Sequence, residues 1–289
     1  MIDLKGNSAV TVRIVTDSTS DIPPEMARKF GISIVPCYIN IGEESYLDEV
    51  DITRSEFYQG LPDFSHHPKT SAPGAGLFLE AYQRLADEGV NEIISMHIHS
   101  GLSNLSNAAH VASENLKHIR VTVIEIGQVA LGLGFMAISA ARAALEGRSV
   151  QDIIRIIRGQ DDRTYVFAAL DTLDYLRESG RAPGLVVGIA NFLRIKPVIR
   201  LHRGILNMVS QVRTGKKGLE RLVRLAKDLE PLEQIAVLHT NAVEKARGLA
   251  EMLKESFHGI QEPDIAEVTP VLGVHTGPGA VGLACVRCE

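Results

Sequence analysis

Glu92-Ile-Ile-Ser-Met-His97, a polar turn Ser100-Gly-Leu-Ser103, apolar residues at Leu105, Ala108, Ala109, Ala112 and Leu116, then Val121-Thr-Val-Ile-Glu-Ile126: this passage decides the fold class. Its two apolar runs are short and rich in Ile and Val, which suits strands. The stretch between them repeats its apolar residues every three or four positions, which suits a helix with one buried stripe. Residues 131–145 follow as an apolar helix rich in small residues. Strand, helix, strand and helix in alternation predict a parallel sheet with helices on its faces.

Toward the N-terminus the alternation continues. Residues 10–16 are an expected strand and Asp17-Ser-Thr-Ser-Asp21 a polar handover. Residues 23–30 are a short helix started by Asp21 and stopped by Gly31. Residues 32–41 are expected as a second strand, Thr53-Arg-Ser-Glu56 as a capping box opening a helix, 62–71 as a loop and 73–88 as a helix.

Past Gly147 the character changes. A helix capped by Ser149, a strand over 164–169 and a short helix over 172–179 precede a hairpin, 194–201 with 205–213, turned at His-Arg-Gly. Helices over 216–229 and 244–257 enclose a strand over 234–239. The expected architecture is therefore α/β in two domains. Residues 1–147 form an N-terminal parallel-sheet α/β domain, and 148–289 a C-terminal α+β domain with a mixed sheet.

At 289 residues, 45% hydrophobic and 22% charged, the chain has the composition of an ordinary globular protein. Its net charge of −5, with both signs interspersed, leaves no basic footprint for nucleic acid. No apolar run spans a bilayer and the start lacks a secretory apolar core, so a cytoplasmic protein with no transmembrane segment is expected, transient membrane contact staying open. Three cysteines make no disulfide framework. Cys285-x-x-Cys288 stands alone and reads as a buried thiol and a tail, and Cys37 reads as core.

Four polar clusters fall where strands hand over to loops: 17–21, Thr70-Ser71, Ser100 to Ser103, and His275-Thr276. Strand ends of an open parallel sheet are where ligands bind, although helix capping accounts for the same residues. Around the last cluster, apolar runs 271–274 and 280–286 predict two strands joined by a His275-Thr-Gly-Pro-Gly279 turn that holds His275 and Thr276 at a rim. A plain strand-to-strand turn fits as well.

The sequence contains no P-loop, G-x-G-x-x-G, H-E-x-x-H or G-x-S-x-G. Ser103 with His275 would suit a hydrolase or acyltransferase, yet no carboxylate is evidently placed to orient the imidazole. His97 and His99 alternate on one strand without a fixed metal-ligand spacing, so neither a metal nor a cofactor is expected. Arg213, Lys216, Lys217, Arg221 and Arg224 make a basic face, either solvated or a docking patch.

Seven stretches, in order along nearly the whole chain, resemble the DegV family, bacterial proteins that bind a fatty acid and act as the carrier subunit of fatty acid kinase. They are Thr16-Asp-Ser-Thr-Ser-Asp-Ile-Pro23, Lys69-Thr-Ser-Ala-Pro73, Ser100-Gly-Leu-Ser103, Leu170-Asp-Thr-Leu-Asp-Tyr-Leu176 with Gly180-Arg181, Ile195-Lys-Pro-Val198, Val212-Arg-Thr-Gly-Lys-Lys217 and Val274-His-Thr-Gly-Pro-Gly279.

The resemblance implies an acyl chain buried between two domains. Thr70, Ser71 and Ser103 would hold the carboxyl group, His275 and Thr276 would cover it, and Arg213 would meet the partner kinase or the transferred phosphoryl group. A separate kinase subunit would phosphorylate the acid to an acyl phosphate, and this chain, itself not catalytic, would present the substrate without binding ATP. The physics is consistent: each buried methylene contributes about 0.8 kcal/mol, while a buried carboxylate must be hydrogen-bonded. Apolar stretches 131–144 and 185–189 offer a tunnel lining, or plain core. Two departures from the family pattern bear on the head-group end: Asn104 with Leu105-Ser106 after the Ser103 turn, and Glu125 where the family usually carries an Asp.

Overall fold

In the computed structural model, which describes residues 12–181, 195–257 and 263–289, four strands form the expected parallel sheet. Strand β1 (Val12–Asp17) lies between β2 (Ser33–Val35) and β6 (Glu92–Ile98), and β7 (Arg120–Ile126) completes the order β2-β1-β6-β7. Helices α1 (Pro24–Phe30), α3 (Ala75–Asp87), α4 (Leu105–Glu114) and α5 (Ala130–Leu145) alternate with these strands. Their buried Ala27, Phe78, Tyr82, Ala109, Ala137 and Met136 join Ile14, Val15, Ile94 and Met96 in one apolar core. The capping box opens α2 (Arg54–Gly60) as read: Thr53 and Glu56 each hydrogen-bond the other's backbone N–H.

Three local expectations need correction. The strand expected over 32–41 is two strands. Pro36 has no N–H to give, and the N–H of Cys37 goes to the Ser18 hydroxyl at 3.1 Å, so β3 (Tyr38–Ile41) leaves for a separate antiparallel sheet. That sheet, β4-β3-β5, uses β4 (Glu44–Leu47) and β5 (Lys69–Ser71), the latter inside the span expected to be loop. Asp21 does not cap α1. Its backbone is left-handed, φ 52°, and its carboxylate accepts the N–H of Thr269 at 2.8 Å, while Pro24 occupies the first helical position.

Residues 271–274 are likewise helix rather than strand. Pro270 starts α10 (Pro270–Thr276) where its missing N–H costs nothing, and Gly277, φ 71°, ends it. Four apolar residues in a row do not separate a strand from one buried helical turn. The Thr-Pro before them and the Gly after them do.

The second sheet is mixed, in the order β10-β9-β8-β13-β11-β12. Its strands are β8 (Thr164–Ala169), β9 (Lys196–His202), β10 (Ile205–Val212), β11 (Leu232–His239), β12 (Asp264–Glu267) and β13 (Val281–Arg287), all pairs antiparallel except β11 with β12. One face packs on α8 (Gly215–Lys227) and α9 (Val243–Ser256) through Phe167, Val198, Leu222, Leu249 and Leu283, with Cys285 buried among them. Between the sheets, α6 (Val150–Arg163) sends Ile153 and Ile157 into the first core, and α7 (Asp174–Ser179) ends at Gly180, φ 66°. Among the described residues no helix is long and apolar enough to cross a membrane.

The tip of the β9–β10 hairpin, Arg203 and Gly204, has φ 51° and 74°, the doubly left-handed turn that a two-residue hairpin favours. It docks on the end of the parallel sheet, where the Gly204 N–H donates to the Gly127 carbonyl at 2.8 Å. A Cβ on Gly127 would lie 2.5 Å from the Arg203 Cα. Gly127→Ala is therefore expected to destabilise the protein by about 1–3 kcal/mol through overpacking against backbone, measured as a lowered urea midpoint at unchanged slope.

Candidate ligand-binding site

In the parallel sheet the chain moves outward from β1 to β2 in one direction and from β6 to β7 in the other, so the strand order reverses between β1 and β6. Loops leaving the carboxyl ends of two such strands diverge and leave a crevice. Thr19 after β1, and Leu102 and Ser103 after β6, open into it. The mixed sheet supplies the opposite wall. Its register places Ile199, Ala168, Gly282 and Leu238 side by side on β9, β8, β13 and β11, and all four line the cavity. Two small residues between two large ones make a trough across the sheet. No side chain larger than hydrogen fits at Gly282, where a Cβ would come within 2.5 Å of the Phe167 carbonyl oxygen. The cavity encloses about 1140 Å³ of non-atom space, counting the part open to solvent, and its walls are largely apolar.

Helix α5 contributes less to this lining than residues 131–144 suggested. Val129 and Ala130 at its start line the cavity, whereas the helix beyond packs into core. Gly132 and Gly134 serve close packing: a Cβ at Gly134 would meet the Ser20 carbonyl at 2.6 Å and one at Gly132 the Val166 side chain at 2.6 Å. Residues 185–189 lie outside the described residues.

Polar groups gather where the β4-β3-β5 sheet meets α10. Thr70, Ser71, Ser103, His275 and Thr276 all line the cavity, so the structure brings together the five side chains singled out as a carboxyl site. Thr70 Oγ1 and His275 Nε2 are 2.9 Å apart. Thr276 Oγ1 donates to the Leu272 carbonyl at 3.0 Å, and Ser71 Oγ accepts from Asn40 Nδ2 at 3.3 Å. The Ser103 hydroxyl has no hydrogen-bond partner among the described residues. Arg213 stands apart, exposed beyond the end of β10 and outside the lining.

Burial drives the His275 pKa down to about 3, with the Arg181 guanidinium and His67 acting in the same direction, so the ring is neutral at physiological pH. Its Nδ1 is buried without a hydrogen-bond partner among the described residues. A neutral imidazole with one nitrogen uncommitted, in the same lining as the uncommitted Ser103 hydroxyl, is an arrangement that a ligand oxygen would satisfy; left alone, such a group costs about 1–3 kcal/mol.

Within the 17–21 cluster Asp17 caps the short turn after β1, as the plainer reading held, whereas Asp21 does not cap. Asp17 Oδ1 accepts the N–H of Thr19 at 3.0 Å and also its hydroxyl. Its other oxygen meets His97 Nδ1 at 2.7 Å, and the chain continues through Ser95 Oγ at 2.7 Å to the Tyr82 hydroxyl at 2.7 Å. Ser, His and Asp are thus connected, but all three are fully buried and out of a substrate's reach. Among the described residues no carboxylate pairs with His275, and no group of three His, Cys, Asp or Glu side chains is arranged to hold a metal ion.

Sequence reasoning missed what holds the His275 turn. Thr240 takes it on three sides. Its hydroxyl donates to the Gly277 carbonyl (2.6 Å) and accepts from the Ala280 N–H (2.9 Å), and its carbonyl accepts from the Gly279 N–H (2.7 Å). Lys245 donates to the Gly279 carbonyl at 3.0 Å and to Asp171 at 2.8 Å, and Lys196 meets the same carboxylate at 2.7 Å. Burial pushes Asp171 up, but the two lysines outweigh it and hold its carboxyl below the usual range. Asp171 and Lys196 stand in two of the seven quoted stretches; their pairing joins segments that only the fold brings together.

A family model described as "Uncharacterised protein, DegV family" matches residues 11–287. A DegV domain-containing protein of Streptomyces coelicolor is 34% identical over 94% of this chain and 97% of its own. A solved DegV family protein from Thermus thermophilus, described as showing fatty acid binding, is 28% identical with a TM-score of 0.86, over 96% of this chain and 100% of that one. The Bacillus subtilis DegV, described as a fatty acid binding protein, is 27% identical with a TM-score of 0.85 at the same coverage. Because burial holds His275 neutral, its ring resonances are expected to stay flat in an NMR titration from pH 8 to pH 5; a midpoint near the ordinary histidine value would contradict the buried site.

Proposed function

The chain belongs to the DegV family, and from that premise we propose that it binds a long-chain fatty acid and presents the carboxyl group to a separate kinase subunit, which phosphorylates it to an acyl phosphate. The observation that carries this reading is the cavity's division of labour. Its trough over Ile199, Ala168, Gly282 and Leu238 offers only apolar surface, while its other end collects Thr70, Ser71, Ser103, His275 and Thr276.

An acyl chain in that trough gains about 0.8 kcal/mol per methylene removed from water, which makes affinity from burial alone. The carboxyl group gains nothing from an apolar wall and must replace the water it loses. Ser103 has a hydroxyl proton to give, Ser71 accepts from Asn40 and keeps its own, and the Thr70–His275 pair offers the imidazole as a further partner. The neutral ring offers the carboxyl group a hydrogen bond rather than an ion pair, and the exposed Arg181 is the charged side chain in the same lining. Arg213, exposed beside Lys216 and Lys217 where Thr214 caps α8, lies on the surface away from the cavity, as a contact for the partner protein requires.

Titration calorimetry with oleate tests the binding half. Thr70→Ala and Ser103→Ala are each expected to weaken binding by about tenfold, the loss of one hydrogen bond to a charged group. Arg213→Ala is expected to leave oleate affinity unchanged while lowering the rate of acyl phosphate formation with the kinase subunit and ATP. Oleate binding that is absent from the wild type, or indifferent to both hydroxyl deletions, would overturn the reading.

A further inference from the structure

We propose that Glu125 is a positioning residue for the carboxyl site: it pins the Ser103 loop on both sides and takes up the two neighbouring serine hydroxyls, leaving that of Ser103 to face the ligand. This rests on the carboxyl-binding role proposed for Ser103.

The loop joins β6 to α4 and carries three serines, at 100, 103 and 106. Glu125 sits near the end of β7, paired in register with His97, and so reaches the loop just past the end of β6. Ser106 Oγ, almost fully buried, donates to Glu125 Oε1 at 2.8 Å, and Ser100 Oγ donates to Oε2 at 3.3 Å. His99 Nε2 stands 3.9 Å from Oε2. Burial raises the Glu125 pKa, but the bonds from Ser106 and Ser100, with His99 beside them, outweigh it and keep the group ionised. An ionised carboxylate accepts only, so both serines spend their protons on it. Ser103 lies between them, lines the cavity, and has no partner among the described residues.

The loop does not depend on Glu125 to form. The N–H groups of Leu102 and Ser103 both donate to the His99 carbonyl, at 2.8 and 3.3 Å, and the Gly101 N–H donates to His99 Nδ1 at 3.0 Å. Gly204 of the hairpin tip packs on the His99 ring, where a Cβ would come within 2.8 Å. Glu125 instead fixes which hydroxyl of this turn points at the cavity, so its removal lets the turn rotate and lets competing hydroxyls compete.

A double-mutant cycle on oleate affinity, measured by calorimetry, isolates this role. Glu125→Ala is expected to weaken oleate binding about tenfold in the wild-type background and less than about twofold on top of Ser103→Ala, the loss in the first case matching a hydrogen bond to a charged group. Glu125→Gln, which keeps an acceptor for Ser106, is expected to restore most of the affinity. Ser106→Ala, which removes the buried donor and leaves the carboxylate, should reproduce part of the loss and keeps the test available if Glu125→Ala does not fold. Equal losses from Glu125→Ala with and without Ser103, or no loss at all, would overturn the positioning role. If Ser103→Ala itself leaves oleate binding unchanged, the carboxyl reading fails and the positioning role fails with it, a result separable from the additive one.

Discussion

Residues 267–269 carry the constraint on which the site depends. This extended segment comes off the edge of the mixed sheet, where the Val268 N–H still donates to the His239 carbonyl of β11 at 2.8 Å, and must deliver α10 to the other half of the molecule, so its remaining backbone polar groups need partners there. The N-terminal part supplies the partners. Arg54 Nη1 donates to the Glu267 carbonyl at 2.7 Å, the Tyr58 hydroxyl to the Val268 carbonyl at 3.0 Å, and Asp21 accepts from the Thr269 N–H while Thr269 Oγ1 donates to the Ser18 carbonyl at 3.0 Å. Each bond joins residues more than 200 positions apart. Burial raises the Asp21 pKa to about 6, against the pull of Arg54, so near neutral pH the group remains an acceptor. Gly273 lets α10 come this close, since a Cβ there would lie 2.4 Å from the Tyr58 hydroxyl.

With α10 seated, chemistry separates along the cavity. Apolar strand residues of the mixed sheet face the crevice at the reversal of the parallel sheet, and the small sheet carrying Thr70 meets the helix carrying His275 at the cavity's polar end. None of the three sheets makes the site alone. The hairpin tip at Gly204 and the segment at Thr269 are two of the places where one part's backbone is bound by the other; Gly204 packs on His99 at the start of the Ser103 loop, and Thr269 leads into the helix that carries His275. Rigidity at the contacts is what holds the Thr70 hydroxyl and the His275 imidazole at hydrogen-bond distance.

The alternation of short Ile- and Val-rich runs with 3.6-residue periodicity between residues 92 and 145 carried enough information to place the parallel sheet, and capping signals at Thr53 and Ser149 were read correctly because they are local. The five polar side chains that gather in one lining were singled out through the family resemblance; spacing alone left each as a possible cap. What failed was what sequence distance hides. Residues 271–274 look the same as strand or as one buried helical turn, and Asp21 reads as a cap until Thr269 is seen beside it. Thr240, Asp171 and Lys245, which hold the His275 turn, carry no signal of that partnership, because each bond is made across segments that only tertiary structure aligns.

Under the proposed function, one fatty acid lies with its carboxyl group among Thr70, Ser103 and His275 and its tail over the trough of Ala168 and Gly282. A crystal structure with a terminally brominated stearic acid tests it directly, since anomalous scattering locates the far end of the chain without reference to the protein. Carboxyl oxygens are expected within hydrogen-bond distance of Ser103 and the Thr70–His275 pair, with the bromine against the mixed sheet. A bromine found beside His275, with the carboxyl group at the trough or in solvent, would contradict it.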